Sequence, residues 1–288
     1  MDFSIIIPTY NNINYLKLCI DSLKKNSKFN HEYIFHVNDG SDGTLDYLKK
    51  NNYKLTHSIE NIGLCRAVNN GSKIATKEFL IYAHDDMYFC PDWDVELSNE
   101  IKKIGKDKDF FLSGTMIQPF ESFIHLDCGN NLQNFNEKKL LENYNKKLFH
   151  DFQGTTWAPS LVPIKTWNKV GGFSEEYTYG LGSDPDFNMK LWLKGVRIFK
   201  GLGKCRVYHF SSVSLRKKAW NNGAKTFLLK WGISIKFFKK HYLRSAKIYN
   251  GPLSEPKKNL IYYHDLLITK IKYYFSLLLS KSNEKSYS

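Results

Sequence analysis

Asp85-Asp86 is the pair of side chains best placed for chemistry in this chain, delivered by the apolar run Phe79-Leu80-Ile81-Tyr82-Ala83. Adjacent carboxylates repel each other unless a cation lies between them, and a hard divalent ion carrying substrate phosphates is the usual resident. The plainer alternative is a strand followed by an acidic turn. Another acid, Asp39, follows the apolar run Tyr33-Ile34-Phe35-His36-Val37 within Asn38-Asp39-Gly40-Ser41-Asp42-Gly43. Its carboxylate can accept hydrogen bonds from a base edge or a ribose hydroxyl, or it can cap the helix that begins at Thr44. Ser183-Asp184-Pro185-Asp186 stands at a helix start, where Ser and Asp both cap well. Trp157, beside Thr155-Thr156, offers a flat apolar face suited to stacking; most of the other aromatic residues are core.

Such residues need a scaffold that brings them to one edge. Phe3-Ser4-Ile5-Ile6-Ile7-Pro8 reads as a strand stopped by proline, and Ile13, Leu16, Ile20 and Leu23 share one face of a helix over 13–25. A strand over 33–37, a helix over 44–50, a strand over 53–58 and a helix over 64–75 lead to the strand before Asp85. Strand–helix alternation of this kind builds a parallel sheet with right-handed crossovers. Ligand-binding residues then gather at the carboxyl ends of the strands, which groups Thr9-Tyr10-Asn11, Asn38-Asp39-Gly40 and Asp85-Asp86. Further on, the pattern predicts a helix over 93–104, a strand over 110–116, a polar helix or loop over 136–147 and an extended segment over 155–163. A helix over 186–194 and two short strands, 196–199 and 205–209, follow. Gly180-Leu181-Gly182 reads as a mobile loop. The fold class is α/β.

The 288 residues suit one large α/β domain plus an appendage. Five scattered cysteines without a CxxC pair argue against a disulfide framework and a structural zinc, and for a reducing, cytoplasmic setting. The chain enters a strand at Phe3 without a signal peptide, and no apolar run reaches membrane-spanning length. Of the net charge of +14, residues 215–288 carry +13. A near-neutral body over 1–214 and a basic tail over 215–288 are therefore two units, and the tail suits an anionic surface.

Ser4-Ile5-Ile6-Ile7-Pro8-Thr9-Tyr10-Asn11, Asn38-Asp39-Gly40-Ser41-Asp42-Gly43-Thr44, Asn61-Ile62-Gly63 with Ala67-Val68-Asn69-Asn70-Gly71, and His84-Asp85-Asp86 resemble the opening of family 2 glycosyltransferases. Val170-Gly171-Gly172-Phe173, Ser183-Asp184-Pro185-Asp186 and Val207-Tyr208-His209 continue the resemblance to about residue 210. It implies a GT-A fold, a Rossmann-like, mostly parallel sheet flanked by helices, and an inverting transferase that uses nucleotide-activated sugars. By the same resemblance Pro8, Thr9, Tyr10, Asn38, Asp39, Gly63 and Asp85 bind the nucleotide sugar. Asp86 holds Mn²⁺ or Mg²⁺, His209 completes that metal site, and Asp184 is the general base. Trp157 is the acceptor-binding candidate. Asn38 stands where the family usually has Asp, Met87 where a third acid is common, and Ser183 where a Glu is common. The first of these bears on preference for uracil.

In the tail, Lys230-Trp231-Gly232 resembles a segment that packs back on the family's catalytic domain. Arg216-Lys217-Lys218 opens a helical pattern through Trp220, and Lys236-Phe237-Phe238-Lys239-Lys240 and Leu260–Leu279 interleave cations with apolar groups. A basic amphipathic helix reads as a membrane-surface element, with a dimerisation helix or a solvated face as alternatives. The expected activity is metal-dependent transfer of a hexosyl or N-acetylhexosaminyl group, from a UDP-sugar to a hydroxyl of a glycan or lipid-linked acceptor. Peripheral contact with an anionic membrane and a homo-oligomer are further partner readings, and nucleic acid is disfavoured because no recognised binding motif accompanies the charge. The rival reading is a nucleotide-sugar- or nucleic-acid-binding protein without catalysis. A cut after Gly232 is expected to spare donor hydrolysis.

Overall fold

The computed structural model describes residues 1–120, 122–210 and 222–285; the Arg216-Lys217-Lys218 to Trp220 pattern lies outside them. A ten-stranded mixed sheet forms the centre. Its first half is built by alternation: β1 (Ser4–Tyr10), α1 (Ile13–Asn26), β2 (Glu32–Asn38), α2 (Thr44–Lys50), β3 (Lys54–Ser58), α3 (Leu64–Ser72) and β4 (Phe79–Tyr82). β1 pairs in parallel with β2 on one side and β4 on the other, and β2 pairs in parallel with β3. Strand order therefore reverses beside β1, which opens a crevice above the carboxyl ends of β1 and β4. β1 is buried on both faces, with Ile5, Ile6 and Ile7 fully enclosed, as its unbroken β-branched run requires.

The second half adds β5 (Met87–Phe89), α4 (Trp93–Ile104), β6 (Phe110–Gln118), β7 (Ile124–His125), α5 (Glu137–Asn143), β8 (Phe152–Gln153), β9 (Ser160–Pro163), α6 (Ile164–Val170), α7 (Ser183–Leu193) and β10 (Ile198–His209). The main path of the sheet runs β3-β2-β1-β4-β9-β6-β10-β5. β9 is antiparallel to both of its neighbours, so β6 and β10 regain the direction of β4.

Among the boundaries that differ from the sequence pattern, three have a clear physical reason. β1 runs through Pro8 to Tyr10 rather than stopping at the proline. The Ala83 N–H donates to the Ile6 carbonyl, so Pro8, two residues on, faces the β4 side where that strand has already ended and no ladder donor is needed. The two short strands expected over 196–209 are one twelve-residue strand, β10, irregular between Gly201 and Arg206. Its glycines are demanded by close crossings: a Cβ on Gly201 would lie 1.9 Å from the Phe152 ring, and one on Gly203 would lie 2.0 Å from the Phe149 carbonyl oxygen. Helix α7 begins at Ser183, three residues ahead of the pattern, because Ser183 and the two acids complete its first turn.

Beyond residue 222 the chain forms α8 (Gly223–Trp231), a short α9 (Ile235–Phe237) that continues as a π-helical turn (Phe238–Tyr242), and α10 (Leu260–Lys285). Phe227, Phe237, Phe238, Leu243, Leu253 and Tyr262 are buried in the same core as the central sheet. The 246–249 segment also pairs with β8, through Ala246 N–H to the Gln153 carbonyl and Tyr249 N–H to the Asp151 carbonyl. A cut after Gly232 would strip all of these side chains but Phe227 from the core, so it is no clean test of the tail.

Candidate active site

The crevice at the carboxyl ends of β4 and β10 gathers three metal-ligating side chains. β10 and β5 are antiparallel, with His209 opposite Met87, which brings His209 beside the residues just ahead of β5. His209 Nε2 lies 3.2 Å from Asp86 Oδ1, and His84 Nδ1 lies 3.4 Å from His209 Nε2 and 3.9 Å from Asp86 Oδ1. One ligand atom from each of His84, Asp86 and His209 falls within 4.8 Å of the other two. That spacing and a donor set of two imidazoles and one carboxylate fit a single divalent ion. The Gln118 amide approaches the other ring nitrogen of His209 at 3.5 Å, where it orients the imidazole.

The acid pair is electrostatically strained. Burial, reinforced by the neighbouring Asp86, pushes the Asp85 carboxyl up to about 7, against the hydrogen bond from Thr9. Burial also opposes the charge on Asp86, but the contacts with His209 and His84 outweigh it and hold that carboxyl below the usual range. Burial, aided by the charge of His209, pushes His84 down to about 4, so it is neutral and able to ligate at pH 7.

Thr9 joins β1 to this cluster, its hydroxyl donating to Asp85 Oδ2 at 2.7 Å. Tyr10, Asn38 and Ser58 sit level with one another across β1, β2 and β3. Asn38 is buried, and its Oδ1 accepts from the Ile62 N–H at 3.0 Å and the Ser58 hydroxyl at 3.1 Å, so it anchors the 59–63 loop. Asp39 has φ +64°, and its carboxylate accepts from Asn11 Nδ2 at 2.8 Å and the Ser41 N–H at 3.1 Å. Those bonds, Asn11 foremost, hold it below the ordinary carboxylate range. Pro8 stands in β1 opposite His36. At Gly63, φ is +86° and a Cβ would lie 2.1 Å from the Thr178 carbonyl oxygen, so the glycine lets the α3 start meet the loop ahead of α7.

Asp184 and Asp186 share the first turn of α7 but face different surroundings. Asp186 is fully buried, accepting from the Ser174 hydroxyl at 2.5 Å and Trp231 Nε1 at 2.8 Å, with Lys230 Nζ at 2.9 Å. It is the bolt that fastens α8 to the body, as the resemblance at Lys230-Trp231-Gly232 implied. We expect Asp186→Ala to lower unfolding stability by roughly 3 kcal/mol, because removing one partner of a buried ion pair leaves the other uncompensated. A denaturant midpoint equal to wild type would contradict this. Asp184 keeps part of its surface in solvent, yet enough protein surrounds it that burial pushes its carboxyl up to about 7, with Lys239 opposing. Tyr82, at the end of β4, feels the charges of Asp184, Asp85 and Asp86 together. Trp157 is half-buried, stacked on Phe123 and Phe152, and its Nε1 donates to the Gly114 carbonyl at 3.3 Å.

The family model of glycosyl transferase family 2 matches residues 4–152, half of the chain. The chain belongs to that family. Among relatives of this family 2 glycosyltransferase, the hyaluronan synthase of Pasteurella multocida is 31% identical over 225 residues, 74% of this chain and 21% of the synthase. The chondroitin synthase of Pasteurella multocida is 30% identical over 224 residues, again 74% of this chain and 21% of the relative. The chain thus spans about a fifth of the length of these two relatives. S. aureus TarS, in complex with UDP-GlcNAc, superposes with a TM-score of 0.53 at 20% identity, over 74% of this chain and 61% of that one. The fold is the GT-A arrangement.

Two residues of the candidate site were not singled out from the sequence. His84 was visible as the residue directly before Asp85-Asp86, but a histidine there has no periodic signal that separates ligand from neighbour. Gln118 stands at the end of β6, and only the parallel pairing of β6 with β10 brings it to His209.

Proposed function

We propose that the protein transfers a sugar from a UDP-sugar to a hydroxyl of a glycan or lipid-linked acceptor, with inversion and with dependence on a divalent metal. The observation that carries this reading is the convergence of His84, Asp86 and His209 at the carboxyl edge of the sheet of a family 2 fold. His84, Asp86 and His209 would hold Mn²⁺ or Mg²⁺, which when bound supplies positive charge against the leaving diphosphate. Two imidazoles in the donor set favour Mn²⁺ over Mg²⁺. Thr9, Tyr10, Asn38, Asp39 and Asp85 receive base and ribose along the ends of β1, β2 and β4, on the backbone that Pro8 and Gly63 shape.

The acceptor oxygen forms a bond to the anomeric carbon while the bond from that carbon to the diphosphate oxygen breaks. Asp184 takes the hydroxyl proton. Trp157 keeps its place as the acceptor-side candidate, its ring already fixed by Phe123 and Phe152. A panel of nucleotide sugars, scored by thermal shift with and without Mn²⁺ and then by donor hydrolysis, tests the reading. Stabilisation by a UDP-sugar only with Mn²⁺ is expected; binding without hydrolysis would favour a non-catalytic binding protein.

For the tail we propose peripheral association with anionic bilayers. No helix among the described residues is long and apolar enough to cross a membrane. Tyr262 and Thr269 face the body, whereas Leu260, Leu267, Ile271, Tyr274 and Leu278 are exposed and, at 100° per residue, form a stripe on the opposite face of α10, with Lys270 and Lys272 on its two sides. Ile271→Glu with Phe275→Glu is expected to abolish flotation with anionic liposomes, without changing donor hydrolysis. Salt should weaken the wild-type association, since the Debye length falls from about 10 Å at 0.1 M to about 3 Å at 1 M. Equal flotation of variant and wild type, or none by either, would leave self-association as the role of the stripe.

A further inference from the structure

Beside the α9 turn lies a cavity of about 610 Å³ whose lining includes five cations, Lys236, Lys239, Lys240, Arg244 and Lys247, and, among the described residues, no carboxylate. Two of the five are engaged from behind. Lys240 Nζ lies 2.6 Å from Asp265 on α10, and an Arg244 guanidinium nitrogen donates to the Ser254 hydroxyl at 2.7 Å. Lys236, Lys239 and Lys247 have no side-chain hydrogen bond or ion pair among the described residues. Like charges around one hollow repel, and the burial that lowers the pKa of Lys239 adds to the cost. A multiply charged anion relieves both.

The position of the cavity narrows the choice of anion. Gly182, just ahead of Asp184, packs against Gly223 at the start of α8, and Lys239 and Asp184 feel each other's charge, so one side of the hollow faces the proposed base. The other side borders α10, which Asp265 ties to Lys240 and His241 at 2.6 and 2.7 Å. An anion held here therefore lies between the group that would activate the acceptor and the helix that carries the outward apolar stripe. We propose that this cavity binds the phosphate or diphosphate group of the acceptor and so presents the acceptor hydroxyl to Asp184. The proposal rests on the transferase reading given above. Clustered ammonium groups and one guanidinium suit the several oxygens of a phosphate better than a single carboxylate.

The test is calorimetric titration of the full chain in metal-free buffer with two probes, inorganic pyrophosphate and farnesyl diphosphate. Wild type is compared with Lys236→Gln/Lys247→Gln, two exposed positions whose exchange leaves the core untouched. Both probes should bind wild type and bind the double variant about tenfold more weakly, as expected for losing two partly screened charge-assisted contacts. Tighter binding of farnesyl diphosphate than of pyrophosphate identifies a lipid-linked source, and equal binding a soluble phosphorylated glycan. Equal affinity of variant and wild type, or no binding by wild type, overturns the proposal. So does a parallel loss of UDP affinity measured with Mn²⁺, which would make the cavity part of the donor site. If wild type binds pyrophosphate but hydrolyses no UDP-sugar, the transferase reading falls and the phosphate site stands; the reverse result removes the site alone.

Discussion

Asp184→Asn is expected to lower kcat by about 10²–10⁴-fold, the usual contribution of a general base, while donor affinity stays near wild type. The exchange preserves shape and removes only the capacity to take a proton. The pH profile separates this from a structural effect. Burial raises the Asp184 carboxyl to about 7 despite the opposing charge of Lys239. The basic form therefore accumulates only as pH rises through that value, and wild-type kcat/KM should climb on an acid limb near pH 7. In Asp184→Asn the residual rate should lose that limb. A variant that binds donor poorly yet turns over at the normal kcat would move Asp184 into the donor site and leave the base to be sought elsewhere.

Asp86→Ala should abolish metal-dependent donor binding and cut transfer by at least about 10²–10³-fold, the scale of losing one electrostatic contributor to a transition state. Asp86 is the single carboxylate in the three-residue cluster and the member nearest His209. Without it two imidazoles remain, a poor set for a hard ion. The fold should survive, since the change relieves the repulsion within the acid pair and leaves the hydrogen bond from Thr9 to Asp85 intact. The measurement is turnover and UDP affinity across a Mn²⁺ titration, with a melting curve beside it. Normal turnover at saturating Mn²⁺ would remove Asp86 from the metal site.

Several features were legible in the order of residues because they are local. The β-branched run of β1, the helical spacing of Ile13, Leu16, Ile20 and Leu23, and the abrupt end of an apolar run at Asp85 are set by nearest neighbours along the chain. They determined the alternating α/β architecture and the edge at which the polar loops gather, while the GT-A family came from the resemblance that the motifs carry. Helices over 44–50 and 93–104 have the bounds the pattern predicts.

What tertiary structure decided depends on approaches between distant segments. Gly201-Leu202-Gly203 falls between the two short strands expected over 196–209, yet it serves a continuous strand crossed by Phe149 and Phe152. Pro8 looked like a strand end, and only the early finish of β4 makes it harmless. His84, Asp86 and His209 meet because β10 runs antiparallel to β5, a pairing across some 120 residues that no local pattern encodes. Asp184 and Asp186 are alike in sequence, but packing against α8 locks one into an ion pair and leaves the other at the crevice. The charge of the tail was plain from composition. That its residues 235–253 are built into the core, with a cationic cavity beside the α9 turn, follows from the packing of Phe237, Phe238 and Leu243, because burial of apolar surface fixes where the cations must stand.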